Sequence, residues 1–144
     1  AESAADLPIT DPRMTRFWIT IGQGVAFVIS SLAMMQGGEV FVPKIPSMNI
    51  VELARALAPG LPQRIVGIRP GEKLHEAMIP EDEARSTLEL ADRYVVIPGH
   101  PGFDVAPYRA LGAASVPEAF RYSSDDNAEW LDAAALRRLL GSAA

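Results

Sequence analysis

The sequence contains no cysteine among its 144 residues. This excludes a disulfide scaffold, a thiolate zinc site and a cysteine nucleophile. Histidine is scarce as well: His75 and His100 are the only two, and neither has a second ligand four residues away, so no metal site is predicted. Positive charge is also short, with 13 Lys and Arg against 18 Asp and Glu for a net charge of −5, which disfavours nucleic acid as a partner.

No signal peptide is visible in the given sequence, and Ala1 in place of an initial Met suggests a processed or excised fragment. Residues 17–38 carry no charge, but their glycines and polar residues are too many for a lone membrane span. This run is instead predicted to be a buried strand over 15–20 followed by a buried helix from about Ile21. With no cysteine and no predicted span, a cytoplasmic protein without membrane contact is expected.

The motifs of cofactor and nucleophile chemistry are missing or incomplete. Gly22 and Gly24 follow a predicted strand and open a predicted helix, but Phe27 stands where a dinucleotide loop has its third glycine, which favours a packing role for the pair. No Walker-type GK[ST] occurs, and Ser123-Ser124, without a local histidine, is interpreted as a turn and helix cap. Four residues after the tyrosines Tyr94, Tyr108 and Tyr122 stand Pro98, Gly112 and Asp126, so the Tyr-x-x-x-Lys pair is lacking. No catalytic, cofactor-binding or metal-binding residue is therefore assigned.

The hydrophobic pattern predicts an α/β order of strand, helix, strand, helix, strand, helix, strand, loop, helix. Asn49 is one of two candidate caps for the second helix, and residues 81–87 are expected to form an acidic helical turn or loop. Residues 98–119 are rich in proline and glycine and are predicted to be a long flexible loop. The predicted strands cover about residues 15–20, 39–42, 64–68 and 94–97, and the helices about 21–36, 50–58, 72–78 and 130–140.

Two arginines stand at predicted strands and suggest an anion site. Arg16 lies inside one apolar strand and Arg69 ends another, where Pro70-Gly71 brings Glu72 just past the strand end. A buried guanidinium needs an anionic partner, and its planar fork suits phosphate. A carboxylate at this position can accept ribose hydroxyls. The residues alone leave open a second reading, in which Arg69 pairs with Glu72 or with Asp11.

Three segments, LPITDPRMTRFWIT, GGEVFVPKIPSM and GIRPGEKLHE, carry a family resemblance. They resemble the C-terminal region of the inverting UDP-N-acetylglucosamine 4,6-dehydratases, which are extended short-chain dehydrogenase/reductases of the pseudaminic acid pathway. The resemblance runs from about Leu7 to the tail helix. The VPKIPSM stretch favours this soluble group over the membrane-bound retaining relatives.

The resemblance implies an enzyme that binds NADP on an N-terminal Rossmann domain, eliminates water from UDP-GlcNAc and epimerises C5. It implies that Arg16 and Arg69 contact the UDP diphosphate and that Glu72 takes the ribose hydroxyls. It also places Pro8 and Ile9 near the uracil. Lys44, Lys73 and His75 belong to the motifs without an assigned role.

The expected fold is therefore the C-terminal substrate-binding part of such an enzyme, with small mixed sheet pieces, packed helices and no complete Rossmann domain. Residues 1–144 are expected to form one UDP-sugar-binding domain that is inactive alone and binds no NADP. The alternative is a stand-alone assembly or regulatory module that keeps the fold. The expected partners are a UDP-sugar, the absent N-terminal Rossmann domain and further copies of the chain, because added strands leave open edges and an uncovered apolar face.

Overall fold

The computed structural model describes residues 5–141. Within that range the architecture is mixed α/β, with small sheets and short helices, as predicted. In chain order the elements are β1 (Leu7–Ile9), β2 (Thr15–Phe17), α1 (Ile21–Met34), β3 (Val40–Pro43), β4 (Ser47–Asn49), α2 (Ile50–Leu57), β5 (Gln63–Ile65), β6 (Ala77–Ile79), a 3₁₀ helix (Glu81–Ser86), β7 (Thr87–Glu89), β8 (Arg93–Val96), α3 (Ala106–Ala110), β9 (Ala114–Ser115), β10 (Tyr122–Ser123) and α4 (Ala133–Gly141).

The chain divides into two compact units. The described part of the first unit comprises residues 5–21, 45–76 and 124–141, and the second unit comprises residues 22–44 and 77–123. In the first unit β1 pairs in parallel with β5, and β2 pairs antiparallel with β4. Helices α2 and α4 enclose a core of Met48, Ala56 and Leu136, against which Trp18 and Leu53 pack.

Helix α2 begins as the sequence predicts. The Asn49 side chain accepts a hydrogen bond from the backbone N–H of Val51 at 2.8 Å, which satisfies one of the free donors of the first turn. Near the end of this helix Leu57 is exposed, whereas Ala54 and Ala56 are buried. The Asp132 carboxylate likewise accepts the N–H of Ala135 at the start of α4, at 2.6 Å.

The second unit is built on one antiparallel sheet of order β3-β8-β7-β9, beside a separate pairing of β6 with β10. Its core consists of Leu88, Leu90, Val95, Tyr108 and Ala113. Residues 98–119 contain the short helix α3 and strand β9, which hydrophobic periodicity did not predict. The flexibility of this segment stays a prediction.

Helix α1 presents most of its large apolar side chains to solvent, so the prediction of a buried helix is wrong. Ser31 is buried, and both Ser30 and Ser31 accept hydrogen bonds at 2.8 Å from the guanidinium of Arg93, which is only 5% exposed. The large apolar side chains at helical spacing are instead exposed by 48–88%. They are Ile21, Val25, Val28, Ile29, Leu32 and, just past the helix end, Met35; we call them the outer face of α1.

The predicted short helix over 72–78 is also wrong. Residues 72–76 form no helix, and Ala77–Ile79 is strand β6. The predicted strand over 64–68 is shorter and earlier, since β5 ends at Ile65 and Arg69 lies four residues beyond it on exposed chain. Arg69 therefore does not end a buried strand. Across residues 5–141, no helix combines the length and the apolar character that crossing a membrane requires.

Candidate functional site

Strand β2 and the segment from Arg69 to Glu76 come together in the first unit. The backbone N–H of Thr15 donates to the carbonyl of Leu74 at 3.0 Å. The Arg16 guanidinium donates to the carbonyls of Leu74 and Lys73, both at 3.0 Å, and to that of Thr15 at 2.7 Å. The two motifs that the sequence predicts to share a site are thus joined by the side chain of one predicted residue.

The Arg16 fork is largely engaged by the protein itself. In addition to the three carbonyls, its Nε lies 3.5 Å from Oε1 of Glu76. The side chain is 28% exposed, so it is accessible at its edge. Because most donors of Arg16 are already bonded to carbonyls, this arginine can supply positive charge to a bound anion but has few N–H groups left for a bidentate contact.

Arg69 and Glu72 stand at the two ends of a tight turn. The N–H of Glu72 donates to the carbonyl of Arg69 at 3.1 Å, and Gly71 has φ +86°. This is a type II turn, for which Pro at the second position and Gly at the third are the favoured residues. One Glu72 carboxylate oxygen also accepts the backbone N–H of Arg69 at 3.0 Å, so the turn fixes the direction of that carboxylate.

The Arg69 guanidinium is exposed and, among residues 5–141, makes no hydrogen bond or ion pair. Neither ion pair left open by the sequence is formed. Glu72 contacts the backbone of Arg69, and the Asp11 carboxylate is bonded to Arg13 through both of its oxygens, at 2.8–2.9 Å. Those hydrogen bonds from Arg13 lower the pKa of Asp11 to about 2. Asp11 therefore stays ionised and committed to Arg13 at neutral pH.

Pro8 and Ile9 lie on β1, whose parallel pairing with β5 the sequence did not predict. Pro8 is exposed, whereas Ile9 is 5% exposed and belongs to the core. The Ile9 carbonyl accepts the N–H of Val66 at 2.9 Å, three residues before Arg69. Of the two residues predicted near the base, Pro8 offers a free side chain and Ile9 offers backbone.

The structure contains a buried cluster of hydroxyl groups that the sequence did not predict. Thr15 Oγ1 lies 2.8 Å from Nδ1 of His75 and 2.7 Å from Oγ of Ser124. Ser124 is fully buried, so it cannot meet a substrate as a nucleophile. The sequence placed no histidine beside Ser124 because His75 is remote along the chain. The one available signal was that His75 belongs to a recognised motif without an assigned role.

The remaining motif residues have structural contacts. In the second unit, Lys44 Nζ donates to Glu89 at 2.7 Å and lies 5.0 Å from the centre of the Tyr94 ring. Phe27, which occupies the third glycine position, packs under the Arg93 guanidinium at 4.7 Å. Gly22 and Gly24 lie within α1, and a Cβ atom added at either would meet no atom of the described residues within 4 Å. The predicted packing role of these glycines is therefore wrong, and these residues do not fit a dinucleotide-binding loop.

Comparisons with known proteins identify the family of the chain. A family described as polysaccharide biosynthesis protein matches residues 1–98. The chain is 50% identical over 135 residues to the inverting UDP-N-acetylglucosamine 4,6-dehydratase of Campylobacter jejuni subsp. jejuni serotype O:2, covering 90% of this chain and 40% of that enzyme. It is 29% identical over 123 residues to a UDP-glucose 4-epimerase of Rickettsia canadensis, covering 83% of this chain and 36% of that enzyme.

A solved structure shares the fold. Pen from Bacillus thuringiensis superimposes with a TM-score of 0.77 at 24% identity, covering 98% of this chain and 41% of that one. The chain thus spans about 40% of the length of the dehydratase and of Pen.

Proposed function

The chain belongs to the family of polysaccharide biosynthesis proteins, and from this premise we propose that it is the UDP-sugar-binding part of a nucleotide-sugar 4,6-dehydratase/5-epimerase. The named activity of the 50% identical relative supports UDP-N-acetylglucosamine as the substrate. Because the chain spans about 40% of that relative's length, the activity is proposed for a longer protein. Such a protein would be cytoplasmic and act in the synthesis of pseudaminic acid.

The observation that carries this proposal is the exposed guanidinium of Arg69, which has no partner among residues 5–141 and lies near a fixed carboxylate. We assign Arg69 to the UDP diphosphate, since a guanidinium with no protein partner can donate two parallel hydrogen bonds to phosphate. Glu72 is assigned to the ribose, because one of its oxygens is bonded to the turn while the other has no partner among the described residues. Because the turn already fixes the orientation of this carboxylate, ligand binding loses little further conformational entropy at Glu72.

Arg16, Pro8 and Ile9 complete the proposed site with smaller roles. Arg16 adds positive charge at the diphosphate while its fork holds residues 73 and 74. Pro8 offers an exposed apolar ring to the uracil, and Ile9 offers its backbone. NADP belongs to the complete enzyme and, on this proposal, is held by its N-terminal Rossmann domain, together with the hydride chemistry.

The N-terminal domain is proposed as the partner that covers the outer face of α1. These six apolar side chains line a stripe one helix face wide, and burying each would stabilise association by roughly 1 kcal/mol. A groove of about 310 Å³ beside them, lined by Phe27, Val28, Leu32 and Phe41 among others, gives that partner a recess. Where the domain is absent, the same face is proposed to drive self-association.

Calorimetric titration with UDP tests the site. Arg69→Ala should weaken UDP binding by about tenfold or more, because charge-assisted hydrogen bonds to phosphate are lost. Arg55→Ala is the matched control, since Arg55 is an exposed arginine of α2 that pairs with Glu52. Equal UDP affinity in Arg69→Ala and Arg55→Ala would overturn the assignment.

A further inference from the structure

The Arg69–Glu76 segment contains no helix or strand, and its last residues are tied to β2 by one buried cluster. Ser124 Oγ accepts the N–H of Glu76 at 2.9 Å, and the N–H of Ser124 donates to the carbonyl of Glu76 at 2.8 Å. The same Oγ donates to the carbonyl of Thr15 at 3.1 Å. Residue 76 is therefore joined to β2 through a serine that lies 48 positions further along the chain.

The cluster admits one assignment in which every contact carries a proton. Ser124 gives its single hydroxyl proton to the Thr15 carbonyl. The 2.7 Å contact between the two hydroxyls must then use the Thr15 proton, which leaves Thr15 Oγ1 as the acceptor towards His75. Nδ1 of His75 must therefore carry the proton of the 2.8 Å contact.

We propose that Thr15, His75 and Ser124 form a positioning clamp that holds residues 69–76 in the conformation that binds UDP, with a ring proton on Nδ1 of His75. The inference rests on the proposed function, because it names the residues that position Arg69 and Glu72. Thr15 is 5% exposed and Ser124 is fully buried. Both act through the backbone of the segment, and neither contacts the ligand.

The burial of the clamp determines its strength. A buried hydroxyl or ring nitrogen that loses its partner keeps the full cost of its lost hydration, whereas an exposed one is rescued by water. Removing the Thr15 hydroxyl leaves His75 Nδ1 and Ser124 Oγ without that partner at once. The cheapest relief is for residues 72–76 to move away from β2, which displaces the Glu72 carboxylate.

Thr15→Val tests the clamp, because it keeps the branched shape and removes the hydroxyl. Thr15→Ser restores the hydroxyl. Thr87→Val is the matched control, since Thr87 is 1% exposed and donates to the carbonyl of Glu83 in the second unit. In hydrogen exchange, the amides of Glu72 and Glu76 should exchange about tenfold faster in Thr15→Val, with the wild-type rate in Thr15→Ser and in Thr87→Val.

UDP titration of the same proteins separates this inference from the proposed function. The UDP Kd should rise about tenfold in Thr15→Val and return to the wild-type value in Thr15→Ser. Exchange at wild-type rates in Thr15→Val overturns the clamp whatever UDP does. Faster exchange in a chain whose wild type binds no UDP leaves the clamp standing and refutes the UDP site.

Two further measurements guard against a variant that does not fold. Ser124→Ala removes the acceptor of the Glu76 N–H, so it should give the same rise in exchange. Nitrogen-15 chemical shifts of the His75 ring in the wild type report the proton directly. A ring protonated on Nε2 alone would overturn the proton assignment without any substitution.

Discussion

At the scale of single residues, Arg16 and Arg69 differ in what holds the guanidinium. Arg16 donates to three backbone carbonyls, whereas Arg69 has no side-chain partner within residues 5–141. The sequence shows two arginines in two motifs and ranks them alike. In the structure the Arg16 guanidinium is bound to the protein, whereas the Arg69 guanidinium is available to a ligand. Replacing Arg69 should therefore weaken UDP binding with less effect on the fold than replacing Arg16.

Glu72 allows a test at the level of one ligand atom. In Glu72→Gln the side-chain carbonyl can still accept the Arg69 N–H, but the charged acceptor for the ribose is gone. We expect UDP to bind about fivefold to tenfold more weakly. Binding of 2′-deoxy-UDP should change less, so calorimetry should show a smaller preference for UDP over its deoxy form. An unchanged preference would place the ribose elsewhere.

Tyr108 and Glu39 make the second unit sensitive to pH at both extremes. Burial and the hydrogen bond to Glu39 raise the pKa of Tyr108 to about 12. Burial acts to raise the pKa of Glu39, but hydrogen bonds from Tyr108 and from the backbone N–H groups of residues 36, 37 and 39 outweigh it and lower that pKa. The unfolded tyrosine ionises near pH ~10. The folded state is therefore favoured below that pH and loses this stability between about pH 10 and 12.

Tyr108→Phe should reduce the loss of folding stability at alkaline pH and also the loss at acid pH. The variant has no phenol to ionise at position 108, so urea unfolding should show a smaller drop in the free energy of unfolding between pH 9 and 12 (approximate bounds from the tyrosine pKa values). Tyr94, whose pKa burial raises to about 12, retains the rest of that drop. The pKa of Glu39 rises towards its usual value without the Tyr108 donor, so the loss of stability in acid also shrinks. Identical alkaline losses in wild type and variant would contradict the assignment.

At the scale of elements, the sequence predicted helices better than short strands. Helices α1, α2 and α4 and the 3₁₀ turn lie where the sequence predicted helical residues, although the helix predicted over 72–78 does not form. Strands such as β1, β4 and β10 are two or three residues long, too short for an alternating pattern to be read. Their pairing depends on partners remote in the chain, as do the contacts of Thr15 with His75 and Ser124, which no local motif encodes.

Helix α1 shows that hydrophobic periodicity predicts an apolar stripe but does not predict whether the stripe faces the core or the solvent. The apolar stripe predicted a buried helix, yet most of the stripe is exposed, and the one buried residue of the helix is Ser31, which accepts a hydrogen bond from Arg93. Leu32→Glu should therefore shift light-scattering mass towards the monomer, because it places charge in the outer face of α1. Leu57→Glu is the control: Leu57 is 60% exposed on α2 and Leu32 is 62% exposed on α1. Equal masses for both variants would argue against association through α1.

At the scale of the whole molecule, the family could be recognised from three motif segments, and the relatives confirm it. The composition and the missing motifs indicated which kinds of site the sequence lacks, such as a thiolate zinc site and the Tyr-x-x-x-Lys pair. Neither could show which motif residues meet a ligand, because that depends on the partners of each side chain in three dimensions. The site residues therefore remain predictions to be tested by binding.

Complementation is the test at this scale. The part of the Campylobacter jejuni dehydratase that precedes the matched region should tighten UDP binding when it is mixed with this chain. The gain should be lost in Leu32→Glu and kept in Leu57→Glu, because only the first variant alters the outer face of α1. Calorimetry with and without that part measures it. If the UDP affinity of the chain is the same with and without the added part, the result would favour the alternative of a stand-alone module.

The outward stripe of α1 also has a consequence inside a cell. Exposed apolar side chains are what chaperones and proteases recognise, so a chain that displays six of them is subject to continual triage. Its lifetime will depend on whatever covers that helix. The abundance of the protein should therefore follow the supply of its covering partner more closely than its own rate of synthesis.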